Sequence, residues 1–153
     1  LAILEKRLGD RLSFTVDIEE GLLDVPVLKL TLQPVVENAV VHGMKDDPAA
    51  RLDIRVDGYR AGDMAVLEVS DNGKGMPAER LLEVQRSLRG APREFYSRSR
   101  NFGLTNLSAR IGLFYAGDGG ISVASRAGGG TVVKLELPVA GKREGNRSEH
   151  AAR

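Results

Sequence analysis

The chain has 153 residues, the size of one ordinary domain, and its 42% hydrophobic and 28% charged residues are enough for a packed core. Lys plus Arg number 22 against 21 Asp plus Glu, so a formal net charge of +1 gives no electrostatic case for nucleic acid. With no Cys there is no disulfide, thiolate zinc site or Cys nucleophile, and no apolar run reaches the ~20 residues of a membrane-spanning helix. The sequence opens at Leu1 without Met or a signal peptide, and is expected to be an excised soluble fragment.

In chain order, Leu1, Leu4 and Leu8 share helical spacing up to a stop at Gly9-Asp10. Leu12, Phe14, Val16 and Ile18 alternate with polar residues as in a half-buried strand, and Gly21 to Pro26 is a connection. Leu28, Leu32, Val35, Val36, Ala39 and Val40 fall on one face of a helix from Leu28 to Val41, with Gly43 as its stop. Pro34 implies either a kink or a first-turn position there. Leu52, Ile54 and Val56, then Met64 to Val69, read as two strands joined by a hairpin turn over Asp57 to Asp63. Pro77 to Leu88 can hold a short helix, whereas Arg89 to Asn101 is polar, aperiodic and Arg-rich, as in a mobile loop. Leu104 to Tyr115 reads as a helix, Gly120 to Ser125 and Thr131 to Leu137 as strands, and the polar tail from Ala140 as disorder. This order is not a run of βαβ units. Three adjacent strand pairs are open to hairpin pairing, which favours an α+β architecture with helices on one face of a mixed sheet.

Gly is unusually frequent, 18 of 153, and gathers at Gly73 and Gly75, at Gly103 and Gly112, and from Gly117 to Gly130. Charge is uneven too. Residues 1–75 hold 9 basic and 14 acidic side chains, and residues 76–153 hold 13 and 7, which suits an anion near the second half.

Three short stretches can carry chemistry. In the first, Leu32 to Gly43, Asn38 and His42 are four apart and share a helix face. Asn38 is either an ordinary helix-end amide or a hard oxygen ligand suited to Mg²⁺, whose other positions go to water and phosphates. In the second, Asp71-Asn72-Gly73-Lys74-Gly75-Met76, a carboxylate ends an apolar strand. It is either part of a tight Asn-Gly turn or an acceptor for an exocyclic amine such as that of adenine, with the glycines admitting a flat ring. The third, Asn101 to Asn106, opens a helix whose free N–H groups suit phosphate, with Gly128-Gly129-Gly130-Thr131 far downstream. Six Arg (Arg80, Arg86, Arg89, Arg93, Arg98 and Arg100) precede it, each either a solvated side chain or part of an anion site.

Taken together, Asn on the first helix, Asp-x-Gly-x-Gly after a strand, Gly-Leu opening a helix and then Gly-x-Gly-Thr resemble the ATP-binding Bergerat fold of gyrase, Hsp90, histidine kinases and MutL. Leu32-Gln33-Pro34-Val35-Val36-Glu37-Asn38-Ala39 followed by His42-Gly43, with Gly9-Asp10-Arg11-Leu12 upstream and Gly-Leu-x-Asn with Arg110 downstream, resembles the catalytic domain of LytS/YesM-type sensor histidine kinases. The resemblance runs from about Leu1 to Pro138. It implies an α+β fold, a two-layer α/β sandwich with helices on one face of a mixed sheet and a mobile ATP lid, and it implies ATP and Mg²⁺ as cofactors.

By the same resemblance, Asn38 is the catalytic and metal-holding residue, keeping Mg²⁺ on the ATP phosphates, and His42 lines that face. Asp71 bonds the adenine amine, while Gly73, Gly75 and Met76 shape the purine slot. Gly103 and Leu104 start the helix under the phosphates, and Thr131 closes the base side. The implied layout is residues 1–9 as the end of a helical dimerisation and phosphoacceptor segment, 10–139 as the ATP-binding domain with a lid at about 77–102, and 140–153 as a tail.

Three departures qualify the resemblance. Val41 replaces a frequent Lys, Asn101 replaces the first Gly of Gly-x-Gly-Leu, and Pro34 stands where water-splitting relatives carry a Glu base, which disfavours direct ATP hydrolysis. Only His42 and His150 are present, so the acceptor His is expected outside the chain. The implied function is γ-phosphoryl transfer to that His, in cis or in trans within a dimer, with a response regulator downstream. The implied location is the cytoplasmic side of a membrane-bound bacterial receptor, with no direct membrane or nucleic-acid contact by these residues. The alternatives are an anti-sigma-type serine kinase of the same fold, which Gln33-Pro34 and the helical start oppose, and a degenerate nucleotide- or partner-binding module, which Val41 and Asn101 favour.

Overall fold

The computed structural model describes residues 9–25, 27, 31–45, 47, 49–90 and 102–139. The helix expected over residues 1–8, most of the Arg-rich loop and the polar tail lie outside the described residues.

Five strands, β1 (Leu12–Ile18), β2 (Leu52–Ala61), β3 (Met64–Asp71), β4 (Gly120–Ser125) and β5 (Thr131–Pro138), form one sheet in the order β1-β2-β3-β5-β4. The helices are α1 (Gln33–Gly43), α2 (Ala78–Leu88) and α3 (Phe102–Phe114). Hairpins form at the two strand pairs adjacent in sequence, β2–β3 and β4–β5, and not at three. β1 is separated from β2 by α1, which carries the chain across, and it runs parallel to β2.

Alternation sets the two faces of the sheet. Leu52, Ile54 and Val56 of β2 are buried while Asp53 and Arg55 are exposed, and the buried side continues through Leu67, Val69, Val133, Leu135 and Val123. Val35 and Ala39 of α1, Val84 of α2, and Leu104, Leu107 and Ile111 of α3 close over that side in one core. The other face is polar. Arg55 pairs with Asp17 and Asp57, the Tyr59 hydroxyl donates to Glu68, and Lys134 pairs with Glu136. The result is the expected mixed sheet with helices on one face.

Several boundaries differ from the sequence expectation. α1 starts at Gln33 rather than Leu28, with Thr31 and Leu32 in a bend, so Pro34 falls in the first turn, where its missing N–H costs nothing. The β2–β3 turn is only Gly62-Asp63, and Asp57 to Ala61 are strand. Gly58 is there because of packing: a Cβ would sit 3.1 Å from Ile18 Cγ1 and 3.2 Å from Leu67 Cδ2. α3 is offset from the expected Leu104–Tyr115 span at both ends, running from Phe102 to Phe114.

The span expected as lid, 77–102, is packed over its first part. In α2, Val84 is 2% exposed and the Gln85 amide donates to the carbonyl of Val123, while Ser108 of α3 donates to Leu88 O. This helix is anchored to the core.

Candidate functional site

A cavity of about 250 Å³ opens where α1, the end of β3, the β4–β5 hairpin and the starts of α2 and α3 meet. Its walls are mostly apolar, from Val35, Ala39, Val69, Val84, Leu104, Val123 and Val133, with a few polar groups converging on it, as ligand sites usually are built. Asn38, His42, Asp71, Gly75, Met76, Leu104 and Thr131 all line it. Of the nine residues singled out in the sequence, seven therefore share one space, and the other two, Gly73 and Gly103, pack directly behind it.

Asp71 is the last residue of β3 and lies opposite Thr131 of β5. Its carboxylate accepts from the backbone N–H of Gly73, at 2.8 Å, and from that of Thr131. Burial pushes its pKa above the usual 3.8, and these two N–H bonds oppose that shift without cancelling it. A carboxylate half-removed from water on an apolar sheet is an unfavourable arrangement for stability alone. It is a suitable acceptor for a ligand N–H.

The segment after Asp71 is held from both sides. The Lys74 N–H donates to Gly43 O at 2.9 Å, Gly128 N–H donates to Lys74 O at 2.7 Å, and Met76 N–H donates to Ser125 Oγ at 2.9 Å. Gly73 is not a wall of the cavity. It lies so close to the Gly43 carbonyl that any side chain would collide with backbone. Gly75 has φ +62 and faces the Arg126 and Gly130 carbonyls, so it is restricted both by conformation and by space.

α1 measures out the site. Gly43 at its end sits beside Asp71, since a Cβ there would be 3.4 Å from Asp71 Oδ1. Asn38, five residues earlier and about 7.5 Å back along the axis, abuts α3 instead: a Cβ on Gly103 would be 3.3 Å from Asn38 Nδ2. The Asn38 Nδ2 donates one of its two N–H groups to Pro34 O at 2.7 Å, which fixes the amide and leaves its oxygen as an acceptor. A single hard oxygen fits Mg²⁺ shared with water and phosphates. Among the described residues no group of three or more acidic or His side chains is placed to hold a metal alone.

Glu37 turns away, accepting from Gln33 Nε2 at 2.8 Å, exposed and outside this cavity. Val41 is 66% exposed and also outside it. The sequence reading assigned no role to Lys74, Ser125, Pro77 or the apolar walls, and left Arg80 among six undistinguished arginines; both Lys74 and Arg80 line the cavity. Lys74 stood inside a quoted motif, but no spacing rule links Ser125 or Val84 to it.

Residues 24–141 match the family described as histidine kinase-, DNA gyrase B- and HSP90-like ATPase. Among curated proteins, the chain is 31% identical over 139 residues to the sensor histidine kinase YesM of Bacillus subtilis, covering 90% of this chain and 22% of that protein. It is 28% identical to the sensor protein LytS of Enterococcus faecalis, covering 91% of this chain and 23% of that protein. It thus spans less than a quarter of these two relatives. Similar solved structures include the histidine kinase domain of the blue-light activated histidine kinase of Erythrobacter litoralis EL346, with a TM-score of 0.62 at 17% identity, covering 91% of this chain and 57% of that one. The catalytic domain of the histidine kinase ThkA gives 0.61 at 15% identity, covering 90% and 85%. With its fold and motifs in this arrangement, the chain belongs to the histidine kinase-, DNA gyrase B- and HSP90-like ATPase family.

Proposed function

We propose that these residues are the ATP-binding catalytic domain of a two-component sensor histidine kinase, which holds Mg·ATP and delivers the γ-phosphoryl to a His outside the chain. The observation that carries this reading is the meeting of Asp71, Thr131, Asn38 and Leu104, from four distant stretches of sequence, around one largely apolar cavity. Asp71 accepts the adenine amine, and Met76, Val69 and Val133 flank the ring. Asn38 and the start of α3 face the phosphates, with His42 on the same helix face. Bound Mg²⁺, held through the Asn38 oxygen, supplies charge neutralisation on the phosphates. In-line phosphoryl transfer asks little covalent chemistry of the protein, so positioning is what the chain contributes. Pro34, in place of an acid, gives no base for water, and its carbonyl serves to fix Asn38.

The proposed setting is a membrane-bound receptor whose acceptor His lies upstream, in cis or in trans in a dimer, with a response regulator as the next partner. No helix among the described residues is long and apolar enough to cross a membrane. The second reading, a degenerate binding module, rests on Val41 and Asn101. Val41 points away from the cavity, so the residue there leaves the walls of the site intact. Asn101 lies outside the described residues.

Radiolabelled ATP tests the proposal. The chain alone should bind ATP without gaining acid-labile phosphate, and the protein extended upstream through its acceptor segment should label. Acid-labile phosphate on His42 or His150 of the chain alone would contradict it, as would an extended protein that binds ATP and never labels.

A further inference from the structure

The β2–β3 ladder does not simply stop. Its last paired positions are Ile54 and Asp71, so one more step would set Asn72 opposite Asp53. In a hydrogen-bonded antiparallel pair, each residue gives its N–H to the carbonyl of the other. Half of that exchange is present, since Asn72 N–H donates to Asp53 O at 3.3 Å. The other half runs through a side chain: Asp53 N–H donates to Asn72 Oδ1 at 2.8 Å. The Asn72 amide thus stands in for its own backbone carbonyl, and the main chain leaves the sheet while Asp53 keeps its partner. Beyond this point the Gly73 N–H turns back onto the Asp71 carboxylate at 2.8 Å, and the Lys74 N–H reaches Gly43 O at 2.9 Å.

The donor side of the same amide is held as well. Asn72 Nδ2 donates to Asp53 Oδ2 at 2.6 Å, and Asp53 Oδ1 accepts from Ser13 Oγ at 2.7 Å. Ser13 and Asp53 are register partners in β1 and β2. The three side chains form an exposed tether across β1, β2 and the residue after β3. They lie outside the walls of the cavity, which Asp71 lines.

We propose that Asn72 is a positioning residue: through Asp53 it fixes where the main chain leaves the sheet, and so aims the Asp71 carboxylate into the cavity. The inference rests on the nucleotide-binding reading for its ligand, and on the contacts alone for the placement of Asp71. Without the tether, the Gly73 N–H loses its fixed place on the carboxylate. That bond opposes the upward push of burial on Asp71, so Asp71 should then titrate at higher pH than in the native chain. The other groups around Asp71 stay in place when Asn72 is replaced: the Thr131 N–H from β5, His42 from α1, Lys74 beside it and Arg80 from α2. A loss of stability alone would not move the titration of Asp71.

The test combines carboxyl NMR titration of Asp71 in the unliganded chain with calorimetric adenosine binding at neutral pH. It compares the native chain, Asn72→Ala, Asn72→Asp and the double variant Asp53→Asn/Asn72→Asp, with melting curves to establish folding. Asn72→Ala should raise the Asp71 midpoint and weaken adenosine about three- to tenfold, the range of one hydrogen bond. Asn72→Asp sets two carboxylates against each other and should weaken adenosine at least as much. The double variant exchanges donor and acceptor between the two positions, so it should recover most of the affinity lost in Asn72→Asp. An unchanged Asp71 midpoint in folded Asn72→Ala overturns the inference. So does a double variant that binds no better than Asn72→Asp, and this comparison carries the test if Asn72→Ala does not fold. A native chain that binds no adenosine overturns the nucleotide-binding reading instead, and the NMR titration still decides the placement of Asp71.

Discussion

The two ends of the cavity are built by different means. At the base end, Asp71 and Thr131 are neighbours in an antiparallel ladder, and the Lys74–Met76 segment is tied to α1 on one side and to the β4–β5 hairpin on the other. At the other end, Asn38 is steadied by the Pro34 carbonyl and by the close passage of Gly103, and the chain leading into α3 lies outside the described residues. Backbone ladders can hold a base-recognition edge without the ligand. A phosphate site made from helix ends depends on what the ligand and metal draw in. The cavity volume of about 250 Å³ lies just below the ~300–1,000 Å³ usual for ligand sites, and it suits a nucleoside better than a whole triphosphate. In the proposed reading the difference is a division of labour: the sheet chooses the base, and the helices meet the charge.

The largest expected effect of breaking this division is at Asp71. Asp71→Asn replaces an acceptor with a donor facing the ligand amine, so adenosine and ATP should both lose about 10- to 100-fold in affinity by calorimetry, the range of a hydrogen bond to a charged group. The fold should not suffer. Burial raises the Asp71 pKa, so the folded state disfavours the ionised form, and the stability linked to this group is fullest below the ordinary 3.8 and is lost as pH rises through the raised value. At neutral pH the melting temperature of Asp71→Asn should equal or exceed that of the native chain.

Gly75 is the structural counterpart of that substitution. Gly75→Ala forces a Cβ onto the Arg126 carbonyl at φ +62, so it should lower stability by about 1–3 kcal/mol, with base binding lost as the loop shifts. Thermal melts check this, and an unchanged melting temperature would show that the Lys74–Met76 segment is not held as described.

The smallest effect is in pH dependence. On the proposed role of the Asp71 carboxylate as acceptor, adenosine affinity should fall as pH drops through the raised Asp71 pKa, opposite in sign to its effect on the unliganded fold. Asp71→Asn should be flat over the same interval. Native binding that strengthens on acidification would assign the acceptor role to another group.

How much of this was legible beforehand follows from where each signal lies. Asp71 and Asn38 were readable because each sits in a short motif whose neighbours share its element: a carboxylate ending an apolar strand, and an amide on an otherwise buried helix face. Ser125 was not readable. Its contacts depend on Met76 and Thr131 arriving from the segment after β3 and from β5, and nothing in the local sequence Ile121 to Ser125 marks it. Gly58 was misread as part of a turn because glycine signals both turns and close packing, and only the approach of Ile18 and Leu67 separates the two. The Leu28 start for α1 followed apolar spacing, but Pro34 set the first turn at Gln33. The short helix over Pro77 to Leu88 was readable from its apolar spacing, but its anchoring was not, since it rests on one buried Val and on two side-chain bonds to backbone reached from β4 and α3.

The most direct test of the division between the two ends is one calorimetric set: adenosine and ATP, each with and without Mg²⁺, on the native chain, Asp71→Asn and Asn38→Ala. Asp71→Asn should weaken every ligand whether or not metal is present. Asn38→Ala should leave adenosine unchanged and remove most of the gain that Mg²⁺ gives to ATP. Equal losses in the two variants, for adenosine and ATP alike and with or without metal, would mean that the two ends act as one site and would contradict the account.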